Sequence, residues 1–331
     1  MNPSSSAAGF GLVSAASWGG SDFVGGVGAR RAPALLVVVS GHLFSLLVLL
    51  AVCRAMHLPL PPSASLIYAG IGGFEGAIAL AIFYRALAMG AMGLTAALTG
   101  LLTALVPVLF SLIREGLPTP LTVAGLATGL AAIWLITHTP TAKALKSSTE
   151  SRVPHPSAAL SRKGGRQQPS TLQPSEAKQD EVPHPSAASP RMGRKQTPPA
   201  ALLLATLAGL GFGTQLIFFK MANTGGILWA MTSARATGVL AILLVLAFMP
   251  LKGPWRGFWL TGIAAGTLDT LGNLFYIQAS RVGRLDVAAL VCSLYPAGTI
   301  LLAAVLLREW PTRRQFAGIA LALAAVALLS I

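Results

Sequence analysis

The chain has 331 residues, 54% of them hydrophobic and only 10% charged, with a formal net charge of +14. A water-soluble domain carries roughly 25% charged residues, so this chain lacks the polar cover that a water-facing surface needs, and soluble folds are excluded. The positive charge is not the footprint of nucleic acid: residues 140–199 hold ten Lys/Arg against four Asp/Glu, and the rest is scattered at the ends of apolar runs, where topology signals and interfacial anchors sit.

A helix needs about 20 apolar residues to span a bilayer. Ten such stretches occur in chain order: 8–28, 34–54, 64–84, 91–113, 119–138, 200–220, 227–249, 257–279, 285–307 and 313–331. No basic residue precedes the first, which reads as a retained helix rather than a cleaved signal. A membrane barrel would alternate apolar and polar residues, and these stretches do not. Their many glycines suit helices packed through small residues. Between the fifth and sixth stretches, residues 140–199 are rich in Pro, Ser, Gln and Lys and repeat VPHPSAA at Val153 and Val182. Such a composition buries too little apolar area to offset chain entropy and predicts a disordered linker. His155 and His184 belong to that duplication and are not read as metal ligands. Cys53 and Cys292 lie in or beside apolar stretches as packing residues, and no metal site or cofactor is expected.

The two groups of five stretches repeat one another. FYRALAMG at Phe83 opens an apolar run followed by RE, PT and AG, and about 193 residues later FYIQASRVG at Phe275 does the same. Five crossings is an odd number, so the second group enters the membrane from the opposite side. Inverted repeats of this kind are typical of secondary transporters, with the substrate site near the midplane where the halves meet. The expected fold is therefore an all-α integral membrane protein, ten transmembrane helices as two inverted five-helix repeats. Residues 1–139 form the first repeat, 140–199 the linker and 200–331 the second repeat.

The shared residues run in a fixed order: Trp18-Gly19-Gly20-Ser21 and Gly211-Phe212-Gly213-Thr214, Phe83-Tyr84 and Phe275-Tyr276, Gly90 and Gly283, Pro107 and Pro296, Arg114-Glu115 and Arg308-Glu309, and Gly125 and Gly318. In this series the chain resembles the EamA-type branch of the drug/metabolite transporter (DMT) superfamily over everything except the linker. The resemblance implies a central cavity lined mainly by the first four helices of each repeat. It also implies export or exchange of small metabolites, driven by ion or substrate gradients, and cytoplasmic termini. A bacterial plasma membrane is the expected location. The short loops, with eight basic residues on one side against five on the other, point the termini outward instead. The long linker departs from the family pattern. So do the prolines, since Pro107 lies eight residues before Glu115 and Pro296 thirteen before Glu309.

Ionisable groups within spans carry the chemistry, because each costs about 2.5–3.5 kcal/mol at a helix centre. They are Asp22, His42, Glu75, Arg235 and Asp269. His42 and Arg235 fall at matching positions of the two repeats, and Asp22 matches Gln215. Asp22 or Glu75 is a candidate proton carrier, and Arg235 a candidate partner for a carboxylate or phosphate on the substrate. The alternative is internal pairing such as Arg235 with Asp269. Asp269, Asn273 and Tyr276 form one helical stripe, and Thr95, Thr99 and Thr103 another that leads to Pro107. Either stripe suits a cavity wall, although threonines also bond their own helix carbonyls. Pro107 and Pro296 can kink or hinge their helices, while Gly19, Gly20 and Gly213 permit bending or, preferably, close packing. Trp18 shares a face with Asp22 and can stack on a substrate or pack the core. Tyr84 and Tyr276 are expected as interfacial anchors, Arg114, Lys220 and Arg308 as snorkelling cations, and Glu115 and Glu309 as partners of the arginines beside them.

These features predict a secondary active transporter working by alternating access on a small metabolite such as an amino acid, with protons as a candidate coupling ion. The bilayer and the solute are its partners. No GxxxxGK[ST] loop supports a nucleotide-driven pump. A non-transporting scaffold or sensor is the alternative. An intramembrane enzyme on lipid-linked substrates is a more distant one, since HExxH, GxSxG and an Asp-rich cation site are all absent from the sequence.

Overall fold

In lipid, a peptide segment can satisfy its backbone internally only as a helix, and the regular elements here are helices. The first half contributes α1 (Pro3–Ala29), α2 (Ala34–Ala55), α3 (Ser63–Met89), α4 (Met92–Arg114) and α5 (Pro120–Thr137). The second contributes α6 (Pro199–Met221), α7 (Ile227–Phe248), α8 (Phe258–Val282), α9 (Leu285–Cys292), α10 (Tyr295–Leu306) and α11 (Arg313–Leu329). The computed structural model describes residues 3–89, 92–137, 198–222, 226–249, 251, 257–306 and 312–329. The expected linker with its two VPHPSAA copies, Gly90 and the Arg308-Glu309 pair lie outside the described residues.

Proline and glycine set the boundaries. Pro33 precedes α2, Pro198 and Pro199 open α6, and the missing N–H of a proline is harmless in a first turn. Gly116 and Gly257, at φ of 77° and 71°, take the left-handed turns after α4 and before α8.

By length and composition, α2, α3, α4, α6, α7 and the α9–α10 pair can each cross a membrane, so the chain is a multi-pass integral membrane protein. Apolar side chains such as Leu43, Leu47, Ile67 and Leu243 stand exposed on its outer surface, as a lipid-facing surface requires. α5 and α11 are apolar but shorter. α1 and α8 are long but dense in Gly, Ser and Thr and carry buried Asp22, Asp269 and Asn273. They pack against each other, each hiding its polar residues on its neighbours.

One expected element is broken. The stretch 285–307 was predicted as a single helix, but α9 stops at Cys292 and α10 starts at Tyr295. Pro296 has no N–H for the Cys292 carbonyl, and its ring crowds that oxygen. Pro107, by contrast, sits inside an uninterrupted α4. Gly100 of α4 faces the break, where a Cβ would lie 2.8 Å from Pro296 Cγ and 3.0 Å from the Ser293 carbonyl oxygen.

The halves interlock. α1 packs on α8, α3 on α6 and α7, α4 on α6, α2 on α7 and α8, and α5 on α11. Small residues let these backbones touch. A Cβ on Gly41 of α2 would lie 2.8 Å from Gly266 Cα of α8. Hydroxyls then bridge the seams: Ser14 donates to the Gly272 carbonyl (2.8 Å), Ser45 to Gly266 (3.1 Å), Thr237 to Gly70 (2.7 Å) and Thr99 to Ala205 (3.1 Å). Lipid tails are as apolar as leucine, so close packing and such bonds hold the helices together. Gly41→Ala should therefore destabilise the protein by about 1–3 kcal/mol, the usual cost of overpacking. Gly9→Ala, where nothing lies within 4 Å, should not lower thermal melting in detergent, since alanine is the better helix former.

Candidate functional site

A cavity lies at the centre of the interlocked helices. Its wall is built from Trp18 and Asp22 of α1, Leu80 of α3, Thr103 of α4, Phe212, Gln215 and Leu216 of α6, Asp269 and Asn273 of α8, and Tyr295 of α10. Each half supplies three of these six helices. The cavity measures about 30 Å³, room for roughly two waters when one needs about 10–15 Å³. A metabolite does not fit in this closed arrangement.

Beside the cavity runs a buried polar chain. The Arg235 guanidinium, 2% exposed, donates from Nη2 to Asp269 Oδ2 at 2.6 Å and from Nη1 to His42 Nε2 at 2.8 Å. Asn273 Nδ2 donates to Asp269 Oδ1 at 3.1 Å and to the Asp269 carbonyl at 2.7 Å. A guanidinium has donors only, so His42 Nε2 must accept and the imidazole proton must sit on Nδ1, which leaves the ring neutral. Nδ1 faces Gly238, where a Cβ would lie 2.5 Å from it. Asp22 lines the same cavity as Asp269 and is also buried, and its Oδ2 has no hydrogen-bond partner among the described residues.

Several predicted site residues therefore converge, and others do not. Trp18, Asp22, Thr103, Asp269 and Asn273 line the cavity. Arg235 and His42 form the layer behind it, with Arg235 in the expected internal pair with Asp269. Thr95 and Thr99 lie above Thr103 but serve their own packing. Thr99 Oγ1 lies 3.0 Å from the Thr95 carbonyl oxygen and 3.1 Å from that of Ala205, sharing its one proton between its own helix and α6, and Thr103 donates to the Thr99 carbonyl (2.8 Å). Gly19 and Gly213 are close-packing positions: a Cβ would meet the Tyr295 carbonyl oxygen at 2.8 Å and Val106 Cβ at 2.6 Å. Gly20 has only Leu268 nearby, at 3.2 Å. Glu75 is elsewhere, on the outer side of α3.

Two expectations are corrected. Tyr84 and Tyr276 are not interfacial anchors but fully buried, at 1% and 0% exposure. α3 runs five residues and α8 three beyond the expected span ends of 84 and 279, so neither ring sits at a helix terminus. The Tyr84 hydroxyl bonds Ser21 Oγ at 2.9 Å, and Tyr276 donates to the Leu216 carbonyl at 2.7 Å while its ring stacks on Trp18 with centroids 6.1 Å apart. Glu115 and Lys220 also have different partners from those expected. Lys220 Nζ donates to the Ser280 carbonyl at 2.7 Å and pairs with Glu115 at 3.6 Å, while Arg114 is exposed. Glu115 further accepts the Leu285 N–H at 3.2 Å and the Ser111 hydroxyl at 3.0 Å. Arg284 joins this cluster, donating to Asp286 Oδ2 at 2.9 Å and to the Gly116 carbonyl at 3.0 Å. The hydrogen bond to Asp286 holds the Arg284 pKa above its ordinary value.

Sequence reasoning missed Leu80, Phe212, Leu216 and Tyr295 as wall residues. Gln215 was visible as the counterpart of Asp22. Tyr295 had a signal too, as the aromatic residue before a mid-span proline. Phe212 stood in the Gly211-Phe212-Gly213-Thr214 motif of the repeat, while Leu80 and Leu216 had no signal, since nothing separates them from ordinary packing. Among the described residues no group of His, Cys, Asp and Glu could hold a metal.

The geometry, a closed polar pocket between two interlocked sets of helices, defines a class, the multi-pass helical membrane proteins. Residues 199–331 match the EamA-like transporter family, a domain of the DMT superfamily. No curated protein matches the chain. A solved crystal structure is similar in fold, with a TM-score of 0.64 over 99% of this chain and 99% of that one at 19% identity.

Removing one partner of a buried ion pair costs about 3–5 kcal/mol, because the other charge is stranded. Arg235→Leu should lower stability by that much, read as loss of thermal stability in detergent. The double variant Arg235→Leu/Asp269→Leu should recover most of it.

Proposed function

We infer that the chain is a secondary transporter, with residues 1–139 and 200–331 as inverted five-helix repeats of ten membrane-spanning segments joined by a 140–199 linker, and a plasma membrane as its site of action. Two features support the inversion. Exchanging α1–α5 for α6–α11 leaves the packing pattern unchanged, since α1 on α8 answers α6 on α3, and α2–α7 and α5–α11 answer themselves. In addition α4 ends where α9 begins, with Glu115 bonded to the Leu285 N–H, so the fourth segments of the two repeats run in opposite directions.

The observation that carries the function is the charge balance around the cavity. Asp22 and Asp269 bring two carboxylates, Arg235 one guanidinium, and His42 is neutral. The cluster is balanced only when Asp22 holds a proton or when a cation faces it, because a lone ionised carboxylate in this surrounding is costly. Asp22 therefore exchanges a proton for the cationic end of a solute. Trp18 and Tyr295, whose rings meet edge-on at 6.2 Å, offer an aromatic wall to its body. Arg235 is committed to Asp269 and is left to hold the helices in place. A small metabolite with an amino group, such as an amino acid, satisfies both walls. Rocking of one repeat against the other then carries it from one side of the membrane to the other.

The test uses the purified full chain in liposomes, with labelled amino acids, polyamines and organic acids as the panel. A pH gradient should drive accumulation of an amino-bearing solute in the wild type. Asp22→Asn should lower that accumulation roughly tenfold or more, within the range for loss of a proton-transfer group, yet retain solute exchange at equal pH. Asp22→Asn with undiminished gradient-driven accumulation would falsify the assignment of the proton to Asp22. Silence of the wild type in both assays favours a scaffold or sensor.

A further inference from the structure

The central site does not use Glu75. This residue lies 12 positions after Ser63 and 14 before Met89 in α3, about 18 and 21 Å along the axis at 1.5 Å per residue. That is mid-depth in a hydrocarbon core of about 30 Å. It opens into a separate cleft of about 250 Å³ between α3 and α6, whose other lining residues are apolar or small, Phe74, Ile78, Ile82 and Leu207 among them. The cleft and the central cavity share no residue, and exposed Phe74 and Leu207 place its mouth on the outer, lipid-facing side. A carboxyl group at this depth is costly unless something answers it.

Its hydrogen bonding admits two states. Thr214 Oγ1 makes a short hydrogen bond with Glu75 Oε1 and also lies 3.2 Å from the Leu210 carbonyl oxygen and 3.0 Å from that of Gly211. A hydroxyl has one proton. Given to Glu75 it serves a carboxylate; given to its own helix, as threonines in helices commonly do, it leaves a lone pair for a protonated Glu75 to donate to, the neutral state that this depth favours. No Lys or Arg among the described residues pairs with Glu75, so no internal cation competes for its charge.

We propose that the Glu75 cleft is a lateral binding site for lipophilic amines that enter from the bilayer. A neutral alkylamine partitions into the hydrocarbon and slides its chain along Phe74, Ile78 and Leu207. Its nitrogen lone pair takes the Glu75 proton. The carboxyl O–H bond breaks, an N–H bond forms, and the ammonium and carboxylate remain as a pair. Charge is created only as a matched couple, so no ion has to cross the hydrocarbon. An alcohol of the same length has the chain but not the base, and gains only chain packing.

The test uses the full chain in lipid nanodiscs, N,N-dimethyldodecylamine as probe, because a tertiary amine takes a proton but cannot capture the activated carboxyl as an amide, and lipid-soluble dicyclohexylcarbodiimide as reporter. The carbodiimide adds across a protonated carboxyl, and the O-acylisourea rearranges to a stable N-acylurea with every atom retained. Peptide mass spectrometry should place that adduct on Glu75 and leave Asp22 unlabelled. N,N-dimethyldodecylamine at about ten times its Kd should slow labelling roughly tenfold by mass action, whereas dodecanol should leave the rate nearly unchanged. Glu75→Gln with wild-type melting should lose the adduct. No adduct on Glu75 in the wild-type chain overturns the proposal, since the carboxyl is then ionised or sealed from lipid. Equal protection by dodecanol overturns it as well, since the cleft would then be a resting place for any alkyl chain. None of these readouts depends on transport, so the central-site reading stands or falls separately.

Discussion

The guanidinium of Arg235 sits buried in the bundle centre, and the surrounding architecture follows from neutralising it. Asp269 supplies the opposite charge at 2.6 Å, and Asn273 holds that carboxylate from one turn further along α8. His42 takes the remaining reach of the guanidinium on its Nε2, which fixes the tautomer of a ring on α2. Three helices from both halves are thereby registered against one another by a single side chain. Ion pairs this deep rarely add stability over a well-packed apolar core, and their best-attested value is in specifying register. Here the register brings Asp269 and Asn273 to the wall of the cavity that Asp22 also lines.

That registration is possible because the helix backbones approach so closely. Gly41 of α2 meets Gly266 of α8, and Gly73 of α3 meets the Ala234 backbone of α7, so the arginine on α7 reaches both α2 and α8. The serine and threonine hydroxyls at the same seams donate to carbonyls of the opposite half, adding direction to contacts that would otherwise be plain van der Waals surfaces. The same economy of volume explains the cavity size: side chains this closely interlocked leave room for water and not for a solute.

The ten apolar stretches were legible because span length is a property of the bilayer, and the helices fall on them within a few residues at most ends. The α9–α10 break was half legible: Pro296 stood out, but Pro107 shows that a proline alone does not stop a helix, since its neighbours decide whether the chain resumes. The polar cluster was legible as a set, because ionisable residues in spans are few. Their pairing was legible in one case only, Arg235 with Asp269. The state of His42 depends on a donor 193 positions away in sequence, and the direction of Glu75 depends on which face α3 turns to α6. Tyr84 and Tyr276 misled because helix length, not aromatic identity, decides whether a tyrosine reaches the interface. Lys220 misled for a related reason: the end of α8 lies within its reach and offers carbonyls before the headgroups do.

Energy scale indicates which contacts can change if the halves rock. The Arg235–Asp269 pair is sealed, and separating it would cost about 3–5 kcal/mol. The Glu115–Lys220 pair is partly exposed at 3.6 Å, and pairs of that kind contribute about 0–1 kcal/mol. Lys220 and Arg284 nevertheless hold the ends of α4, α6 and α8 and the start of α9 together through carbonyls that water can replace once they are exposed. A motion that opens this end and keeps the centre intact therefore breaks weak, replaceable bonds and preserves the strong one. Asp22, on the cavity wall and without a hydrogen-bond partner for Oδ2 among the described residues, is the group that the proposed transport reading needs to change partners. On that proposal the buried pair would serve as the fixed axis, the peripheral cluster as the closure, and Asp22 as the group whose occupancy changes.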